Sequence, residues 1–131
     1  MQLPVTFFLT AIFALMLVAL SAFVSMWRRV LNVAFGDGNS DVLRRRIRAH
    51  ANFIENAPFL ILMTGALEIG QATQWVIGLI AIGFLLARML HAFAILFGRD
   101  AKLRAAAMLL QHFATVIAAV YLIILVVAPD R

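Results

Sequence analysis

From Leu3 to Trp27 the chain carries no charged side chain, and this run constrains the fold more than any other feature. A helix rises about 1.5 Å per residue, so roughly 20 apolar residues cross a hydrocarbon core of about 30 Å. The run is longer than that. No basic segment precedes it and Arg28-Arg29 follow it directly, so it is expected to stay as an anchor rather than be removed as a signal peptide. Composition extends the argument to the whole chain. Of 131 residues, 65% are hydrophobic and 13% charged, against about 45–50% and about 25% in soluble domains. That apolar content suffices for about four spans. The expected fold is an all-α integral membrane domain over 1–131, a bundle of four transmembrane helices at about 3–28, 41–69, 74–97 and 101–128.

The boundaries follow from turn chemistry. Gly36-Asp37-Gly38-Asn39-Ser40 is a cluster of turn formers, and Ser40 or Asp41 can cap the helix that follows. That helix opens with Arg44-Arg45-Arg46 and Arg48, becomes apolar at Phe53, and contains Glu55, Pro58 and Glu68. Gly70 to Gln74 forms a short uncharged link, Gly98-Arg99-Asp100 a second turn, and Pro129 ends the last helix. Pro58 frees the carbonyl of Ile54 and is expected to bend the helix there.

The net charge is +5, but the basic residues gather beside apolar stretches, so they mark a membrane boundary rather than a nucleic-acid surface. Arg28, Arg29, Arg44, Arg45, Arg46 and Arg48 border the first connection; Arg99, Lys102 and Arg104 border the third; Arg131 stands alone at the end. The positive-inside bias places connections one and three in the cytoplasm and both termini on the other side. There is no Cys, which excludes disulfides, thiolate zinc sites and a sulfur nucleophile of the chain's own. No metal is expected. Any thiol chemistry must use sulfur from a bound molecule.

Several polar residues do not belong in lipid, where an ionisable group at mid-depth costs about 2.5–3.5 kcal/mol on insertion scales and needs a partner or a wet cavity. Arg88 lies ten residues before Gly98, about 15 Å along a helix. It is expected to meet Glu55, directly or through a ligand. At 100° per residue Arg45, Arg48, Asn52 and Glu55 fall on one stripe about 80° wide, which Phe59 and Leu62 extend, while Glu68 falls on the opposite face. Arg88 and His91 share a face of the third helix, and Arg104, Met108, Gln111, His112 and Thr115 one of the fourth. Gln111 and His112 read as interhelical glue, Met63, Met89 and Met108 as packing. The ensemble of Arg48, Asn52, Glu55, Arg88, His91 and Arg104 is more than glue requires. Guanidinium groups suit carboxylates and Glu55 suits an ammonium or amide proton, so the expected ligand is a small zwitterionic or polyanionic molecule.

Arg48-Ala49-His50-Ala51-Asn52-Phe53-Ile54-Glu55 followed by Pro58 resembles the helix 2 signature of the MAPEG family, membrane-associated proteins in eicosanoid and glutathione metabolism. Arg88-x-x-His91 and Arg104 are similar to the arrangement in its prostaglandin E synthases, and Val33 to Gly38 looks like its small bacterial inner-membrane members. The resemblance covers essentially the full length. It implies a homotrimer in the bacterial inner membrane, with glutathione bound between subunits near the cytoplasmic side and a lipophilic substrate arriving from the lipid bilayer. By that resemblance Arg28, Arg48, Asn52, Glu55, His91 and Arg104 hold glutathione, Arg104 lies nearest its sulfur as the catalytic residue, and Arg88 supports the pocket.

A thiol of ordinary pKa near 8.5 is mostly protonated at neutral pH, and a guanidinium beside it favours the thiolate. The activity implied is that of a glutathione-dependent membrane transferase or peroxidase. Three positions depart from the relatives, which carry hydroxyl side chains where this chain has Ile95, Ala105 and Asn56-Ala57. The alternative is therefore a non-catalytic lipophile-binding or scaffold protein of the same fold. A four-helix cation exporter fits poorly, because the first span has no acidic residue to couple protons.

Overall fold

The computed structural model describes residues 2–98 and 101–128. Among them are four helices and no strand: α1 (Pro4–Leu31), α2 (Asp41–Ile69), α3 (Gln74–Leu96) and α4 (Ala101–Val127). The Arg99-Asp100 part of the third connection, the stop at Pro129 and the charge of Arg131 lie outside the described residues. Helices α1, α3 and α4 are long and apolar enough to cross a membrane; α2 is equally long, but its arginines make it far more polar.

α1 runs to Leu31, three residues beyond its expected end at 28. Arg28 and Arg29 sit in its last turn, where positive charge is favoured by the helix dipole. Asn32, in the left-handed conformation (φ 52°), closes the helix by donating its N–H to the carbonyls of Arg28 and Arg29. In the first connection Gly36, Gly38 and Asn39 all have positive φ. A side chain at Gly38 would also strike Val33, with its Cβ 2.5 Å from Cγ2, so this turn requires glycine. Of the two candidate caps, Ser40 acts: its hydroxyl accepts from the Leu43 N–H at 3.3 Å. α2 then continues unbroken through Pro58.

Contacts between distant residues fix the topology. The start of α1 meets the end of α2 through Glu68, Phe13 of α1 packs edge-on against Phe53 of α2 with centroids 5.4 Å apart, and Thr73 at the start of α3 bonds Tyr121 near the end of α4 at 3.0 Å. Neighbouring helices are thus antiparallel, so the arginine-rich ends of all four gather at one end of the bundle. Leu9, Phe13, Leu20, Phe53, Leu60, Leu67, Ile77 and Phe84 form the core. α3 and α4 approach over small residues: Ala107, Ala114 and Ala118 are buried, and a Cβ on Gly83 would lie 3.3 Å from that of Ala114. Close backbone approach of this kind is how helices associate where lipid removes the hydrophobic drive. Phe7, Phe8, Leu15, Trp75, Phe113 and Val126 point outward, a surface suited to acyl chains and not to water.

Glu68 takes a role that the sequence pattern left open. Its side chain is 5% exposed, and its carboxylate accepts the N–H groups of Val5 at 3.0 Å and Thr6 at 2.8 Å. Leu3 offers no side-chain cap to α1, so a carboxylate from α2 satisfies two of the donors that every helix start leaves open. Replacing Glu68 by Ala strands both donors, and loss of about 1–3 kcal/mol is expected for a buried unpaired group. Thermal unfolding in detergent and faster deuterium exchange at residues 5–8 would register it; an unchanged midpoint with unchanged exchange would refute the cap.

Candidate functional site

At the arginine-rich end α2, α3 and α4 enclose an open cavity of about 500 Å³ lined by Arg44, Arg45, Arg48, Ala51, Asn52, Glu55, His91, Ile95, Arg104 and Met108. Pockets for small ligands run roughly 300–1,000 Å³, so the volume suits a molecule of tripeptide size. A second hollow of about 440 Å³ shares Arg45, Ile95 and Arg104 and reaches Asp41, Gly98 and Ala101. The α2 stripe derived from helical phase therefore faces one space, together with His91 of α3 and Arg104 of α4.

Arg88 does not line this space. It is 3% exposed and donates from Nη1 to Oδ1 of Asn52 at 2.8 Å. The expected direct contact with Glu55 does not form, because Asn52, nearly one turn earlier on the same helix, is the residue at the phase and depth that face α3. Glu55 is exposed to the cavity. Its carboxylate forms no ion pair among the described residues, where Arg44 bridges Asp37 at 2.6 Å and Asp41 at 2.9 Å. Arg44 is thus already matched by carboxylates, and its guanidinium holds the Asp37 carboxyl below its ordinary value, helped by the Asn39 N–H. Arg45, Arg48 and Arg104 form no such ion pair among the described residues.

Arg28 is also placed away from the cavity lining. Its Nη1 donates to the carbonyls of Ala34 at 3.1 Å and Gly36 at 3.0 Å, which folds the first connection onto the end of α1. Arg46 stacks on Trp27, its guanidinium 4.2 Å from the ring centroid. Of the two residues read as glue, Gln111 behaves so, donating to Asn56 Oδ1 at 2.7 Å; His112 points outward from this chain. Asn56, noted in the sequence only as a departure from the relatives, has a role there that was not expected, as the acceptor for Gln111. Its signal was position: it stands one turn below Asn52 on the same helix. Arg45 and Met108, named on their stripes but not among the site residues, also line the cavity.

The profile of the MAPEG family matches residues 6–124. The chain belongs to the MAPEG family. Arg48, Ala51, Asn52 and Glu55 of its helix 2 octapeptide form one wall of the cavity. Among curated proteins it is similar to "Inner membrane protein YecN" of Escherichia coli strain K12 and of strain CFT073, each 33% identical over 78 residues. That stretch is 60% of this chain and 60% of each relative, so the match spans less than two thirds of their length. No solved structure matches. Family membership, an inner-membrane relative and three apolar helices of spanning length make this an integral membrane protein associated with the lipid bilayer.

Asn52→Leu removes the acceptor from the Arg88 guanidinium and leaves a buried charge unpaired. Loss of about 2–3 kcal/mol is expected, read as a lower unfolding midpoint in detergent, whereas exposed Arg48→Ala should leave the midpoint near wild type. Equal losses from both would show that Arg88 does not depend on Asn52.

Proposed function

We propose that the protein is a glutathione-dependent membrane transferase or peroxidase. The observation that carries this reading is the charge pattern of the cavity. Arg45, Arg48 and Arg104 face it without a carboxylate partner among the described residues, opposite a single lining carboxylate, Glu55. Glutathione carries two carboxylates and one ammonium, so guanidinium groups can bind its acids bidentately while Glu55 takes the amine. Ala51, Ile95 and Met108 supply apolar wall beside these charges.

In this reading Arg104 lies nearest the sulfur and Arg48, Asn52, Glu55 and His91 hold the polar ends. Arg88 holds Asn52, and Arg28 adds positive charge from the end of α1. A guanidinium within hydrogen-bonding distance favours the thiolate, each unit of pKa lowering corresponding to about 1.4 kcal/mol. The thiolate attacks an electrophilic carbon, forming a C–S bond with loss of the leaving group. Alternatively it attacks the terminal oxygen of a hydroperoxide, the O–O bond breaks, the alkoxide takes a proton and leaves as an alcohol, and a second glutathione converts the sulfenic acid to the disulfide with loss of water. We further propose that all four helices span the bilayer, with the arginine-rich end cytoplasmic and both termini on the other side. In this reading three copies assemble so that a neighbour closes the exposed side of the cavity where Arg48, Glu55 and Arg104 lie.

A second reading, a lipophile-binding or scaffold protein without turnover, is favoured by one observation. Tyr121, the chain's single tyrosine, bonds Thr73 at the opposite end of the bundle, so no phenol reaches the cavity, and Ile95 lines it instead. Calorimetric titration of the detergent-solubilised protein with glutathione, followed by stopped-flow absorbance near 240 nm, separates these. Binding with thiolate formation that Arg104→Ala abolishes is the expected result. No binding would remove the first reading, and a thiolate signal unchanged in Arg104→Ala would remove the assignment of that arginine.

A further inference from the structure

We propose that Asn56 and Gln111 form a register lock behind the cavity whose task is to position Arg104; this rests on the reading that Arg104 faces a bound thiol. Arg104 and Gln111 are seven residues apart on α4, two turns, so they share a face with Met108 between them. The turns flanking Gln111 present alanine to the bundle: Ala107, Ala114 and Ala118 are buried. Alanine faces pack closely but have no direction, and a rotation of one residue would swing Arg104 by 100° and out of the cavity. At this end of α4 the directional element is the amide pair; the bond of Tyr121 to Thr73 lies at the other end.

Gln111 is 6% exposed and its Nε2 donates to Asn56 Oδ1 at 2.7 Å. Asn56 cannot turn to meet a displaced partner, because its Nδ2 donates to the Asn52 carbonyl at 2.8 Å. Asn52 in turn holds Arg88 through its side-chain oxygen. One chain of hydrogen bonds therefore runs from α4 through α2 to α3, directly beneath the cavity, and sets the three helices that line it in one rotational register. It leaves the Nδ2 of Asn52 as that side chain's remaining group for a ligand. Asn56 and Gln111 do not line the cavity, so they are positioning residues and not catalytic ones.

The test uses the full-length protein in detergent with Asn56→Leu and Gln111→Leu combined. Replacing both members of a buried polar pair by apolar side chains of similar shape is nearly neutral in stability, so this variant is expected to fold. Thr73→Val, which breaks the bond to Tyr121 at the opposite end, is the control. With glutathione, the pH midpoint of the 240 nm thiolate signal should rise by about one unit in the double variant, a tenfold loss of thiolate. Affinity for the protonated form should change less than about threefold, and Thr73→Val should titrate as wild type. A wild-type midpoint in the double variant overturns the proposal. If wild-type protein binds no glutathione, the functional reading fails separately, and the lock is read without ligand. Backbone deuterium exchange over residues 101–111 should then quicken in the double variant and not in Thr73→Val, and unchanged exchange would overturn it.

Discussion

A guanidinium withdrawn from solvent is the constraint around which this bundle is arranged. Arg88 is almost fully buried and its partner is the neutral oxygen of Asn52. That choice has two consequences. It fixes how α2 is rotated against α3, since the acceptor must face Arg88, and rotation places Arg48 and Glu55 on the cavity side. It also leaves the positive charge uncancelled. A carboxylate partner would have neutralised it; an amide satisfies the hydrogen bond and keeps the field in the neighbouring cavity positive, where charge acts more strongly than in water. The cavity is thereby left with an excess of positive charge, with four arginines and one glutamate in its lining.

The two glutamates of α2 show how helical phase divides labour. Glu55 faces the cavity, exposed and without an ion pair among the described residues, while Glu68 faces α1 and caps the open N–H groups of Val5 and Thr6. The same side chain thus serves as a candidate ligand contact at one end and as a structural fastening at the other. The opposite end is further tied by Thr73 and Tyr121. Structure is fastened at one end and chemistry gathered at the other. A membrane protein can tolerate this because the outward side chains between the two ends, such as Leu15 and Phe113, are apolar and need no polar partner.

Much of the fold was legible in the residues. Apolar runs set the helices, Gly36 to Ser40 and Gly70 to Gln74 set the turns, and a 100° phase calculation brought Arg45, Arg48, Asn52 and Glu55 to one face, all of which line the same cavity. Two readings went astray for a common reason. A direct contact of Arg88 with Glu55 follows from opposite charge, and an end of α1 at 28 from its arginines; in each case local geometry prevailed, through the amide at the facing position and through the left-handed cap at Asn32.

The sequence by itself determined the class of solvent, the helices and the faces they present, because these depend on composition and on the fixed period of a helix. Which faces meet was decided by the tertiary structure. The pairing of Arg88 with Asn52, of Gln111 with Asn56 and of Glu68 with the start of α1 depends on relative rotation and depth to within the length of a hydrogen bond, and no periodicity along a single chain contains that distance.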